Sequence, residues 1–433
     1  MNVRFDPKYS HIPPEETERA IREHKSLIEQ VRCGEIWNDR WLGWFSVRDA
    51  ASEQTLANLQ KEVERVRRIA STMIVIGIGG SNRGAMAAIQ ALHRSLASPT
   101  RIVWAGDSLS AAVLQDALEA VRNESVILNV IAKDFRTLEP GVAFRMLRGA
   151  LIEKYGAEYP SRIVVTGSHG EGQLFELAQA QGYRFLEFPE SIGGRFSVLS
   201  NVGLFPMAVA GVDIARLIGG AANMEQELKA GDIFSNPAVR YAVNRNLLFS
   251  KGFGVESLVV FEPDLIPLAR WWTQLFAETE GKVPDAVFPT YFSYSEDLHA
   301  VGQYVQQGRR CIFETYLGAF HKRPECVIAP SAGVADGFSY LDGKPFDELN
   351  QAVYRAAILA HSEDGVPCQE LTIPEISEGT LGALFYFFMF ACYVSASLIG
   401  VNPFTQDGVE NYKKAMYRLL KSRPEDQGRE SRR

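Results

Sequence analysis

At 433 residues the chain exceeds what one ordinary hydrophobic core organises, so two large units or one large composite are expected. A hydrophobic share of 46 % with 22 % charged residues excludes a disordered chain, and a formal net charge of -7 argues against a broad cationic face for nucleic acid. Five scattered cysteines (Cys33, Cys311, Cys326, Cys368 and Cys392), with no Cys-x-x-Cys, argue against a disulfide framework or a zinc site and fit a reducing compartment.

The N-terminal stretch is charged and polar, with no apolar run of the kind a secretion signal needs. Residues 12–33 read as one helix after Pro13-Pro14, and 48–68 as another. Continuous apolar runs at 73–78, 101–106, 126–133 and 162–167 predict buried parallel strands. Helical patterns follow each of them, ending near Leu92, then over 110–121, 139–155 and 172–181. This alternation predicts an α/β fold with a doubly wound parallel sheet. The stretch 193–250 reads as helical. A second series follows, with strands at 257–263, 285–290, 310–318, 325–330 and 368–373. Its helices fall at 264–279, 296–307, 346–361 and 376–399, and a last helix starts after Asp407. Leu381–Gly400 is long and apolar enough to span a bilayer, but it lacks flanking Lys or Arg and would be a lone span. The favoured reading is a helix buried on all sides, and no membrane association is expected.

Several short segments carry candidate chemistry. Gly77-Ile-Gly-Gly-Ser-Asn82 follows a strand and opens a helix, a geometry that turns backbone N–H groups toward an anion. It matches neither G-x-G-x-x-G nor a P-loop, and tight strand–helix packing explains it equally well. Glu278-Thr-Glu-Gly-Lys282 closes a helix; a solvated helix end with a glycine cap is the plain alternative. His299 sits in a Ser/Asp-started segment, Arg195 in the turn Gly193-Gly-Arg-Phe-Ser197, and Lys413 in the last helix, where it could simply be exposed.

Taken together, six segments resemble the bacterial glucose-6-phosphate isomerase family, in its order and spacing: IGIGGS (76–81), GGRFSVLSNVGL (193–204), WWTQLFAETEGK (271–282), DLHAVGQYVQQGRR (297–310), LAHSEDGVP (359–367) and GVNPFTQDGVENYKK (400–414). The resemblance implies two sugar-isomerase subdomains, each a parallel sheet flanked by helices. They are expected at 48–215 and 216–400, after an N-terminal helical segment at 1–47 and before a C-terminal helix and tail at 401–433. It also implies a cytoplasmic homodimer in which His299 enters the partner's site, and an aldose–ketose isomerase that needs no cofactor and no metal. By the same resemblance Glu278 is the base that carries a proton between C2 and C1, and Arg195 steadies the enediolate. His299 and Lys413 open the sugar ring, with Glu139 orienting the histidine. Gln274 and Gln406 contact the sugar, Gly80, Ser81, Lys133 and Thr137 face its anionic group, and Arg136 and Glu139 are further substrate-binding candidates.

One segment departs from the family pattern. Where the family's phosphate loop carries hydroxyl residues, Ala132 and Asp134 stand in Ala132-Lys-Asp-Phe-Arg-Thr-Leu-Glu-Pro140. A carboxylate beside a phosphate is repulsive, and Arg136 could pair with it or supply a new fork for an anion. The expectation is an intact proton-transfer apparatus beside a rewritten anion pocket, suited to glucose 6-phosphate or to a related sugar derivative. The rival reading is a non-catalytic sugar-binding regulator on the same fold. A nucleotide-binding oxidoreductase is disfavoured because the dinucleotide glycine pattern is missing.

Overall fold

The computed structural model describes residues 3–37, 40–93, 100–133, 137–170, 172–319, 326–330, 332–333, 335–406, 408 and 410–420. Two five-stranded sheets organise it. The first runs in the order β3 (Arg101–Ala105), β2 (Thr72–Ile76), β4 (Val126–Ala132), β5 (Ile163–Gly167), β6 (Arg184–Glu187), all parallel. The second has the order β1 (Arg4–Asp6), β10 (Cys368–Ile373), β9 (Ile312–Ala319), β7 (Val255–Val260), β8 (Phe288–Ser293), parallel except for the antiparallel edge strand β1. The expected α/β class therefore holds. The sequences TMIVI and VILNVIA are apolar without alternation because β2 and β4 are buried on both faces.

This strand order places the site. β2 begins the first sheet and has β3 on one side and β4 on the other, so the connections leaving β2 and β4 part in opposite directions. Ligands of open α/β sheets bind at such a switch point, outside the carboxyl ends of the strands. The turn Gly77–Asn82 leaves β2 there, and Lys133 leaves β4 there.

The apolar segment is an interior helix, Glu378–Leu398. A capping box starts it: Ser377 Oγ accepts from Thr380 N and Thr380 Oγ1 accepts from Ser377 N. Ninety-four per cent of its most apolar window is buried. It packs against the helices Lys25–Cys33, Ile214–Ala230, Pro237–Ser250 and Ile266–Glu280. Its tyrosine hydroxyls find carbonyl acceptors, Tyr386 at Phe45 O (2.9 Å) and Tyr393 at Ile36 O (2.7 Å). Those hydrogen bonds satisfy polar groups that lipid would leave unpaired.

Four expectations are corrected. Residues 12–33 form two helices, Pro14–Glu23 and Lys25–Cys33, broken at His24, whose backbone leaves the helical region. The strand expected at 285–290 lies three residues later, at Phe288–Ser293; it is an edge strand, where Pro289 is tolerated. Of the strand expected at 325–330, the described part makes only one bridge, Val327 with Pro345, and Val327 is half exposed. Finally, the helix expected over 296–307 is a short 3-10 turn, Glu296–His299, followed by Gly302–Gln307.

Candidate active site

Four segments distant in sequence meet at the first sheet's switch point. Gly79–Ser81 forms a 3-10 turn directly after β2, and Gly193–Leu199 lies against it. A Cβ on Gly80 would sit 2.0 Å from the carbonyl oxygen of Gly194, so only glycine allows this approach. Gly79 has φ +60°, and a side chain there would strike the Gln274 amide 2.7 Å away. Gln274 belongs to the third segment, the helix Ile266–Glu280. The fourth is the strap 402–406, which precedes the helix Glu410–Leu419.

Arg195 joins them. It is only 6 % exposed. Its Nε lies 3.2 Å from Glu278 Oε2, and Nη1 donates to the carbonyls of Glu278 and Pro403. Nη2 donates to Thr405 O (3.2 Å) and to Gln406 Oε1 (3.4 Å). A guanidinium offers five N–H groups in a rigid fork, and here five acceptors surround it. Burial pulls its pKa below the ordinary arginine value while Glu278 pushes it back up, and the group stays a cation. Gln274, one turn before Glu278, donates to Glu278 Oε1 at 2.8 Å. The Glu278 carboxylate thus has one oxygen on an amide and the other on a guanidinium, and its side chain remains 26 % exposed. A carboxylate oriented on both oxygens and still open on one face suits proton transfer to a bound molecule.

The other expected residues take varied places. Ser81 closes the 3-10 turn, half-buried. Thr137 stands at the N-cap position, without a side-chain capping bond, and Glu139 lies in the first turn of the helix Leu138–Tyr155, which follows β4. Arg136, like Asp134, lies outside the described residues. Lys133 turns its ammonium onto the Trp41 ring (4.0 Å) and donates to Glu190 O at 2.8 Å. Burial lowers its pKa to about 8, Arg40 adds to this, and Glu190 opposes it. Lys413 is half-buried on the helix Glu410–Leu419, which continues from the strap. His299 is exposed at the end of its 3-10 turn, and its ring makes no hydrogen bond or ion pair with the Glu278 group. Among the described residues, no group of three or more His, Cys, Asp or Glu side chains is placed to hold a metal ion.

The sequence profile of the phosphoglucose isomerase family matches residues 64–432. The chain belongs to that family. It is 40 % identical over 406 residues to the glucose-6-phosphate isomerase of Clostridium novyi (strain NT), an alignment covering 92 % of this chain and 89 % of the relative. The glucose-6-phosphate isomerase of Bacillus cereus (strain AH187) is equally similar, with the same coverage. Among solved structures, a hypothetical protein of Thermus thermophilus superimposes with a TM-score of 0.86 at 26 % identity, covering 96 % of this chain and 99 % of the other. A glucose-6-phosphate isomerase of Chlamydia trachomatis has the same fold, with a TM-score of 0.82 at 20 % identity, covering 97 % and 88 %.

Within this phosphoglucose isomerase scaffold, reading the sequence missed what lies behind Glu278. The segment Glu278-Thr-Glu-Gly-Lys282 resembled a solvated helix end, yet Glu280 is 1 % exposed and pairs with the fully buried Arg245. Two carboxylates in a last turn that has no basic residue oppose the helix dipole by about 0.3–1 kcal/mol each. Each is answered by an arginine from another element, Arg195 and Arg245. The available signal was Arg245 itself, a cation whose neighbours three and four positions away on the helix, Tyr241, Ala242, Leu248 and Phe249, are all apolar.

Proposed function

We propose that this chain interconverts glucose 6-phosphate and fructose 6-phosphate by proton transfer through a cis-enediol. The observation that carries the reading is the Glu278–Arg195 pair, held by Gln274 and Gln406 against the glycine turn of the first sheet. In the open-chain aldose, Glu278 removes the C2 proton, and the C–H electrons become the C1–C2 double bond of the enediolate. The C2 hydroxyl proton passes to the C1 oxygen, and the same carboxyl returns its proton at C1, which leaves the C2 carbonyl of the ketose. Arg195 supplies fixed positive charge beside the developing oxyanion. Gln274 keeps the carboxylate aimed, and Gln406 links Arg195 to the sugar.

Ring opening is assigned to His299 and Lys413, and it makes the functional unit a dimer. The exposed His299 ring, which makes no hydrogen bond or ion pair with the Glu278 group of its own chain, supports histidine donation across an interface. Mixing experiments check this. Glu278→Gln and His299→Asn are each expected to be nearly inactive alone. Equal amounts unfolded and refolded together should recover about one quarter of wild-type activity, because half of the dimers carry one intact site. No recovery would place His299 in the site of its own chain. The cytoplasm is the compartment that suits this chemistry and the free thiols.

A second reading concerns the anion pocket. Ala132 and Asp134 replace hydroxyl residues, and the Lys133 ammonium rests on Trp41. This favours weaker capture of phosphate, so that a related sugar anion competes well. Lys133 also makes capture pH-sensitive. Its positive charge is present below about pH 8 and is lost as the pH rises through that value. KM for glucose 6-phosphate should therefore climb as the pH is raised from neutral through that value, and Lys133→Gln should flatten that climb. The stability term has the same origin: a lysine held below its unfolded pKa costs folding at neutral pH, and that cost fades as the pH rises past about 8 toward the unfolded value. A wild-type KM that is constant over this range would remove Lys133 from the anion pocket.

A further inference from the structure

We propose that Arg245 and Glu280 are positioning residues, a buried brace that fixes the last helical turn so that Glu278 stays aimed at the sugar. This rests on the reading of Glu278 as the base. Residues two apart on a helix point to roughly opposite sides, about 200° around the axis. Glu278 therefore faces the cleft while Glu280 faces the interior. Arg245, from the helix Pro237–Ser250, donates Nη1 to Glu280 Oε2 and Nε to Glu256 Oε2 of β7. Its guanidinium also lies 4.5 Å from the ring of Phe276, one turn before Glu280, so it grips the catalytic helix at two points. Glu256 is tied in turn to Tyr241 Oη (2.8 Å) and to Thr315 Oγ1 (2.7 Å) of β9, which anchors the brace to the second sheet. On the far side of the turn, Lys282 Nζ donates to Asn402 O of the strap that cradles Arg195.

The composition of this brace is a poor choice for stability alone. One buried cation faces two buried carboxylates; Ser395 Oγ accepts from Arg245 Nη1 at 3.2 Å, and among the described residues Arg245 Nη2 and Glu280 Oε1 find no hydrogen-bond partner. Well-packed apolar residues often serve a core as well or better, so an incompletely satisfied buried ion pair at this place points to a task that depends on geometry. A helix's last turn lacks onward hydrogen bonds and frays unless something holds it. Here the base sits in that turn.

The test separates aim from scaffold by measuring two reactions of glucose 6-phosphate in D2O by NMR. Interconversion of its α and β anomers needs binding and ring opening only; loss of the C2 proton to solvent needs the base. In Glu280→Ala, C2 exchange should fall about 100-fold, the effect of a displacement near 1 Å, while anomer exchange and KM persist. Glu280→Gln, which keeps an acceptor for Arg245, should restore most of it. Equal loss of both exchanges would make Glu280 a mere scaffold residue, and unchanged C2 exchange would remove the brace altogether; either overturns the proposal. Glu278→Gln is the control. If C2 exchange survives in it, the assignment of the base fails, independently of the brace.

Discussion

Replacing Glu278 by Gln is expected to lower kcat by about 10²–10⁴-fold, the usual range for a general base, with substrate affinity changed little. Glutamine has the same shape. Its carbonyl oxygen can keep the hydrogen bond from Gln274 or the contact with Arg195, which now engage Glu278 Oε1 and Oε2 respectively. It cannot carry a proton between C2 and C1. The measurement is turnover on glucose 6-phosphate beside calorimetric binding of the corresponding sugar-alcohol phosphate, which lacks the carbonyl and cannot react. A regulator that only binds sugar behaves differently: its ligand affinity would be preserved and there would be no turnover to lose. Wild-type turnover near zero, or a variant within about tenfold of an active wild type, would remove Glu278 from the mechanism.

The second large effect is expected at Arg195. Arg195→Met removes the fixed cation proposed to stand beside the enediolate, which is expected to cost about 3 kcal/mol of barrier on the scale of other oxyanion donors, or roughly 10²–10³-fold in kcat. It also strips the carbonyls of Glu278, Pro403 and Thr405 of their donor. Amide exchange should therefore quicken in 402–406 while the sheets stay protected. Arg195→Lys separates the two roles. Lysine restores a positive charge but presents a compact ammonium in place of a fork spanning five acceptors, so part of the rate should return and the strap should remain loose. If Arg195→Lys matched the wild type in both respects, charge alone would matter and the five-acceptor cradle would be incidental.

The parts of this molecule that could be read from residues are those whose pattern is set locally. β2, β4 and β5 are continuous apolar runs because both of their faces are covered, and the interior helix is apolar all round for the same reason. The short edge strands β1 and β6 escaped notice because at least half of their side chains are charged and exposed, and only the neighbouring strand makes them strands. ECVIAP resembled a core strand, but Val327 meets no core and its described part makes only an isolated bridge. The site divides in the same way. Arg195, Gln274, Glu278 and Gln406 were identifiable one by one from family motifs, whereas their meeting depends on a crossing of four segments that no local pattern encodes. Glu280 was misjudged because its partner, Arg245, lies 35 residues away.

The interior helix has a consequence for how the chain is made. Glu378–Leu398 contacts elements that begin as early as Lys25, including the helix that bears Glu278. A ribosome that has synthesised everything before Glu378 thus holds a nascent polypeptide in which the greasy faces of those elements still await their lid. Closure of the common interior has to wait until this helix has left the ribosome, and until then the nascent chain is a natural client for holding chaperones.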